Sequence, residues 1–170
     1  MPPCAAQQSP YDGAMSSETL SQVLLEDAII RRRSSEAEAE RRMAIEDLLG
    51  ASHFAPHCFE PAGPYALKLA VRDNRLRFHI SSAKLDAPRE VVLPVAPFRR
   101  IIKDYFLIFE SHLEAISSGQ AHRIEAVDMA RRSIHNEGAE LLEAQLNGRI
   151  SLDFDTARRL FTLICVLHLT

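Results

Sequence analysis

The sequence predicts an α+β domain: a small antiparallel sheet of three to four strands, helices packed on one face, and a C-terminal half that is all helical. Three observations carry this. Residues 64–82 alternate apolar and polar side chains about Asp73-Asn74, the period of a half-buried hairpin. From Pro97 onward the apolar spacing changes to the three-and-four interval of amphipathic helices. Strands therefore come early and helices late along the chain, the segregation that α+β folds show.

Leu20–Glu26 reads as a first strand. Ser35-x-x-Glu38 is a capping box, in which serine and glutamate satisfy opposing orphan N–H groups, and it opens a helix to Leu49 with Gly50 placed to end it. Ala44, Ile45, Leu48 and Leu49 form its apolar stripe, and Glu38, Arg42 and Glu46 form a solvated charge ladder on the other side. In the central hairpin, Asp73-Asn74 supplies two residues tolerant of positive φ. Closing the turn there pairs Val71 with Leu76, Leu69 with Phe78 and Leu67 with Ile80, so every apolar side chain shares one face. A third strand spans about Arg89–Val95 and is limited by Pro94.

Proline at the first helical position, Pro97, opens a helix that Gly119 closes. Its broad apolar face takes in Phe98, Ile101, Ile102, Tyr105, Ile108, Phe109, His112, Leu113 and Ile116. A second helix runs from about Ala121 to Leu146, with Gly138 a candidate kink. Asp155 is expected to cap a last helix whose residues Leu160–Leu169 are apolar nearly all round. Such a helix has to be covered on several sides, which puts it at the centre of the fold.

The chain has 170 residues, 20 basic against 23 acidic, for a net charge of −3. With 46% hydrophobic and 25% charged residues, wholesale disorder is excluded, and so is a generally basic nucleic-acid binder. No apolar run, Leu163–Leu167 included, approaches the roughly 18 residues of a membrane span, so no membrane partner is expected. Residues 1–17 read as a disordered tail lacking the basic start and apolar stretch of a secretory signal, leaving 18–170 as one domain in the cytoplasm. Cys4, Cys58 and Cys165 are odd in number and show no CxxC spacing, which argues against a disulfide framework or a cysteine zinc site. His53, His57 and Cys58 lack an evident fourth ligand and a recognised spacing. Neither metal nor cofactor is expected. No nucleophile elbow, phosphate-cradling glycine loop or HExxH occurs.

Three long blocks carry a resemblance. They are Pro97-Phe98-Arg99-Arg100-Ile101-Ile102-Lys103-Asp104-Tyr105-Phe106, then Arg131-Arg132 followed by His135-Asn136-Glu137-Gly138, then the run from Asp153 to His168. Together they resemble the signature of a bacterial family known as uncharacterised protein family two hundred and sixty-two. The likeness covers about Leu20 to the C-terminus. It implies a soluble cytoplasmic protein and supplies no activity.

The sharpest feature lies in the second long helix. With Ile134 as reference, Val127, Gly138, Leu141 and Gln145 lie within about 40°, and Arg131 falls inside the same core-facing arc while Arg132 points away. A guanidinium cannot shed its charge, so Arg131 requires a carboxylate, carbonyls or a bound anion. Asp128 and His135, its i−3 and i+4 neighbours, make an Asp128–Arg131–His135 chain that serves either as structural ion pairing or as the floor of an anion site. Doubled arginines recur at Arg99-Arg100, Arg131-Arg132 and Arg158-Arg159. The anion-binding candidates are therefore Arg131, His135, Arg99, Arg132 and Arg158, with Asp128 as supporting acid. The alternative is that the pairs diverge and meet Glu110, Asp128 and Asp155 separately.

On the outward hairpin face, Lys68, Arg72, Arg75, Arg77 and His79 set like charges opposite one another, a mild repulsion that an anionic partner relieves. Tyr65 and Phe78 point inward, however, so the face lacks a stacking platform and nucleic acid is disfavoured. Phe106 and Leu107 fall off the main stripe of their helix and mark a surface for a protein partner or for self-association. The leading expectation is a non-catalytic cytosolic interaction or regulatory module. The second is a small enzyme or ligand-binding protein for an anionic phosphate or carboxylate metabolite, using the Arg/His cluster. The third is RNA or ribosome association through the basic hairpin.

Overall fold

Asp73 and Asn74 both adopt positive φ, 52° and 58°, and the two-residue turn they form sets the register of the central hairpin. Val71 faces Leu76, Leu69 faces Phe78 and Leu67 faces Ile80, as the alternation requires. These coordinates are a computed structural model that describes residues 18–26, 35–57 and 61–168. The proposed tail, Cys4, Cys58 and Leu169 lie outside the described residues.

Strands β3 (Tyr65–Arg72) and β4 (Arg75–Ser81) form the centre of the sheet. β5 (Arg89–Pro94) adds antiparallel to β4. On the other side, β1 (Leu20–Glu26) pairs with β3 in parallel, giving the order β1-β3-β4-β5 and a mixed sheet rather than an antiparallel one. The reason is the connection: parallel neighbours need a crossover of a dozen or more residues, and helix α1 (Ser35–Gly50) supplies it. A second, two-stranded sheet joins β2 (Phe54–Pro56) to β6 (Ile150–Leu152), each too short to show a period in the sequence. It ties the exit of α1 to the entry of the last helix, where His53 N–H donates to Thr156 Oγ1 at 3.0 Å.

The helical half begins with a 3-10 turn, Ala96–Phe98, so the α-helix proper, α2, starts at Arg99 and runs to Ser118. Gly119, left-handed at φ 67°, ends it, its N–H donating to the carbonyls of Ala115 and Ile116. Of the expected apolar face, Ile116 is exposed, and Ala115 is buried in its place where α3 approaches. Phe106 packs back against the core, while Leu107 is exposed.

Helix α3 (Ala121–Leu146) is unbroken at Gly138. The glycine serves close packing: a Cβ there would lie 2.4–2.5 Å from the ring of Phe161 on α4 (Phe154–Leu167). α4 is capped by Asp153, not Asp155. Asp153 holds the extended backbone a cap needs and accepts from Thr156 N–H at 3.0 Å, whereas Asp155 is already inside the first turn. From Leu160 to Leu167 every residue of α4 is buried, with α1, α3 and β3 packed around it.

One sheet face turns to this core. The other carries the basic side chains, and its like charges are answered from the flanking strands. Glu26 of β1 pairs with Arg72 and lies 3.8 Å from Lys68, and Glu90 of β5 bonds Arg77 at 2.7 Å. The repulsion that an anionic partner would relieve is thus relieved within the sheet.

Candidate functional site

Helices α1, α3 and α4 meet around a cavity of about 230 Å³. Each contributes one face. Arg131 and His135 stand one turn apart on α3, just ahead of the buried Gly138, Ala139 and Leu142, and both are half-buried. On α4 the lining residues Asp155, Arg158, Arg159 and Thr162 recur at intervals of three and four. On α1, Glu40 and Asp47 line the cavity beside the apolar wall of Met43 and Ala44.

The acid that answers Arg131 is Glu40, to which its Nη2 donates. Asp128, expected beside it, instead lies 3.0 Å from His112 Nε2 of α2. The sequence pattern sets Glu40 neither on the expected stripe of α1 nor on its ladder. Yet it stands three residues after buried Ala37 and four before buried Ala44, so an acid on a core-facing stripe was the available signal. Arg131 and Glu40 are only 26% and 22% exposed. Glu40→Ala is therefore expected to cost about 1–2 kcal/mol, below the figure for a fully buried pair because water still reaches this one. Urea denaturation checks this, and an unchanged midpoint would show that the guanidinium is solvated without its acid.

Arg159 Nε lies 3.4 Å from Asp47 Oδ2. Arg158 differs. Among the described residues it has no ion-pair partner, and its buried Nε makes no hydrogen bond. His135 Nε2 is likewise buried and unpartnered. The imidazole is pushed down to about 4, first by burial and then by the neighbouring Arg131 and Arg158 guanidinium groups, so it is neutral at pH 7. It leans on Tyr105 of α2, ring centroids 5.6 Å apart. Tyr105 is in turn edge-on to Phe161 at 6.3 Å, its buried hydroxyl is unpartnered, and burial together with Glu40 raises its pKa. Thr162 Oγ1 is committed to the carbonyl of Arg158 at 3.1 Å, and Cys165 is fully buried, its thiol pushed up by burial.

The cleft thus brings together Arg131, His135 and Arg158 of the sequence-derived candidates. Arg99 and Arg132 are exposed and do not line it. Arg100 donates to Asp104 of its own helix at 3.1 Å and ties α2 to α3 by donating to Glu137. His57 Nε2 meets Ser151 Oγ at 2.6 Å, and His53 is exposed. Among the described residues, no group of three His, Cys, Asp or Glu side chains is placed to hold a metal ion. Nor is any helix among them long and apolar enough to cross a membrane.

Fold and cleft together define a small α+β protein with an open, mixed-charge cleft lined by three helices. Residues 17–170 match the pattern of an uncharacterised protein family, UPF0262, and the chain belongs to that family. Relatives include UPF0262 proteins of Brucella suis and Brucella canis, each 48% identical over 142 residues, or 84% of this chain and 89% of theirs. The UPF0262 protein of Sphingopyxis alaskensis is 48% identical over 161 residues, 93% of this chain and 98% of its own. No solved structure matches. Of the three sequence blocks that carry the likeness, the second supplies Arg131 and His135 to the cleft and the third Arg158 and Arg159, while Tyr105 of the first packs against the His135 ring.

Proposed function

We propose that the α1–α3–α4 cleft binds a small metabolite through its anionic group, a carboxylate or phosphate, and that the protein acts as a cytoplasmic binding module rather than through chemistry of its own. The observation that carries this is Arg158. Two of the three cleft arginines have acids of their own, whereas Arg158 lines the same cavity and forms no ion pair among the described residues. A forked guanidinium left open in this way is matched by a carboxylate or phosphate. His135, uncharged, lines the cleft without adding positive charge. The volume, below the roughly 300–1,000 Å³ of sites for drug-sized ligands, suits a compact molecule. The binding reading is favoured over a catalytic one because Thr162 and Cys165, the hydroxyl and thiol of this part of α4, are committed or buried.

Arg158→Gln tests the reading. A hydrogen bond to a charged group contributes about 1.5–3 kcal/mol, so the substitution is expected to weaken binding by about 10- to 150-fold. Titration calorimetry against simple carboxylates and inorganic phosphate measures it, with Arg132→Gln as a control expected to bind normally. Equal losses in the two variants would mean that the cleft is not the binding site.

A further inference from the structure

The charges lining the cleft cancel, and this narrows what it can hold. Glu40, Asp47 and Asp155 stand against Arg131, Arg158 and Arg159. Two of the possible pairs are made, Glu40 with Arg131 and Asp47 with Arg159. One acid and one guanidinium are left over. Asp155 and Arg158, three residues apart on the same face of α4, make no ion pair with each other or with any other described residue. Residues so spaced stand about 5–6 Å apart at their Cβ atoms.

We infer that the anionic group taken by Arg158 belongs to a molecule that also carries a cationic group a few ångströms away, so that the ligand is a small amino carboxylate. This rests on the binding reading above. A doubly charged anion such as phosphate gains from Arg158 but meets three carboxylates in a lining whose formal charge is zero. An amino carboxylate satisfies both unmatched groups at once: its carboxylate takes the Arg158 fork and its ammonium takes Asp155. The positive end of the α4 dipole opposes an ammonium there, and Asp155 supplies the charge that reverses this. Met43 and Ala44 then face the carbon chain between the two ends.

The test is calorimetric titration of the full chain with matched pairs differing only in the amine: alanine and propionate, 4-aminobutyrate and butyrate, glutamate and glutarate. Inorganic phosphate is run alongside. At least one amino carboxylate is expected to bind tenfold or more tighter than its amine-free partner. Asp155→Asn is expected to erase that preference while sparing the affinity of the amine-free acid, and Arg158→Gln to weaken binding of both by about 10- to 150-fold. Circular dichroism verifies that each variant folds. If phosphate or an amine-free acid binds as tightly as any amino carboxylate, or the preference survives Asp155→Asn, the inference is overturned and the anion reading stands. If no compound binds the unaltered protein, both are overturned.

Discussion

Gly138→Ala is expected to destabilise the protein by about 1–3 kcal/mol, the range for forcing an extra methyl into a packed core. Glycine within a helix ordinarily invites the opposite result, since alanine there gains roughly 0.5–1 kcal/mol from reduced backbone entropy. The contact with Phe161 reverses the sign. A methyl at position 138 would sit 2.4–2.5 Å from three atoms of that ring, and the ring has little room to yield. Phe161 is fully buried and is held edge-on by Tyr105 at 6.3 Å. Helices α3 and α4 must then separate by about 1 Å to reach ordinary carbon–carbon contact, or the ring must leave its rotamer. For a chain of this length the melting temperature is expected to fall by about 2–4 °C for each kcal/mol. Combining Gly138→Ala with Phe161→Leu distinguishes this cause from others. If the ring is the obstacle, the two losses are less than additive. A thermally neutral Gly138→Ala would show that the helices are not so closely apposed.

The second large effect is acid sensitivity carried by His135. Its native pKa of about 4 lies below the ordinary value of 6.5 because burial and the two guanidinium groups of Arg131 and Arg158 oppose its protonation. Tyr105 faces it from α2, and Glu40 lies on the α1 side of the same cleft. Below pH 6.5 the unfolded chain takes up a proton that the folded protein refuses, so stability falls as the pH falls. Its full value is kept above about pH 6.5 and is lost as the pH drops toward 4, a total of about 3 kcal/mol from this residue. Urea unfolding at half-unit steps between pH 7 and 4 measures the slope. His135→Gln, which cannot titrate, is expected to flatten it across that window, whatever it does to stability at pH 7. A variant with the slope of the unaltered protein would assign the acid sensitivity to the carboxylates instead.

Much of the architecture was legible in the residues because it is local. The hairpin register follows from a period of two closed by a turn that only certain residues enter easily, and no distant contact is needed to fix it. The central position of α4 follows from its having no polar side to offer water. Arg131 was legible for a related reason, as a permanent charge on an apolar stripe. The direction of β1 was not, since a seven-residue strand pairs either way and the crossover helix decides. The strands β2 and β6 were hidden because three residues carry no period.

The cleft divides the same way. The sequence determined on its own that the chain is α+β, that its last helix is the core, and that a guanidinium at position 131 must be answered. Only the tertiary structure decided which acid answers it. Glu40 is 91 residues away in the chain, and the packing of α1 beside α3 brings the two together. Packing also decided that Gly138 admits a ring rather than a bend, and that Arg158 faces a cavity with no acid of its own. Periodicity says which side of a helix is buried, because burial follows from each side chain's own affinity for water. It does not say which charge meets which, because an ion pair depends on distances between elements that only the assembled core sets.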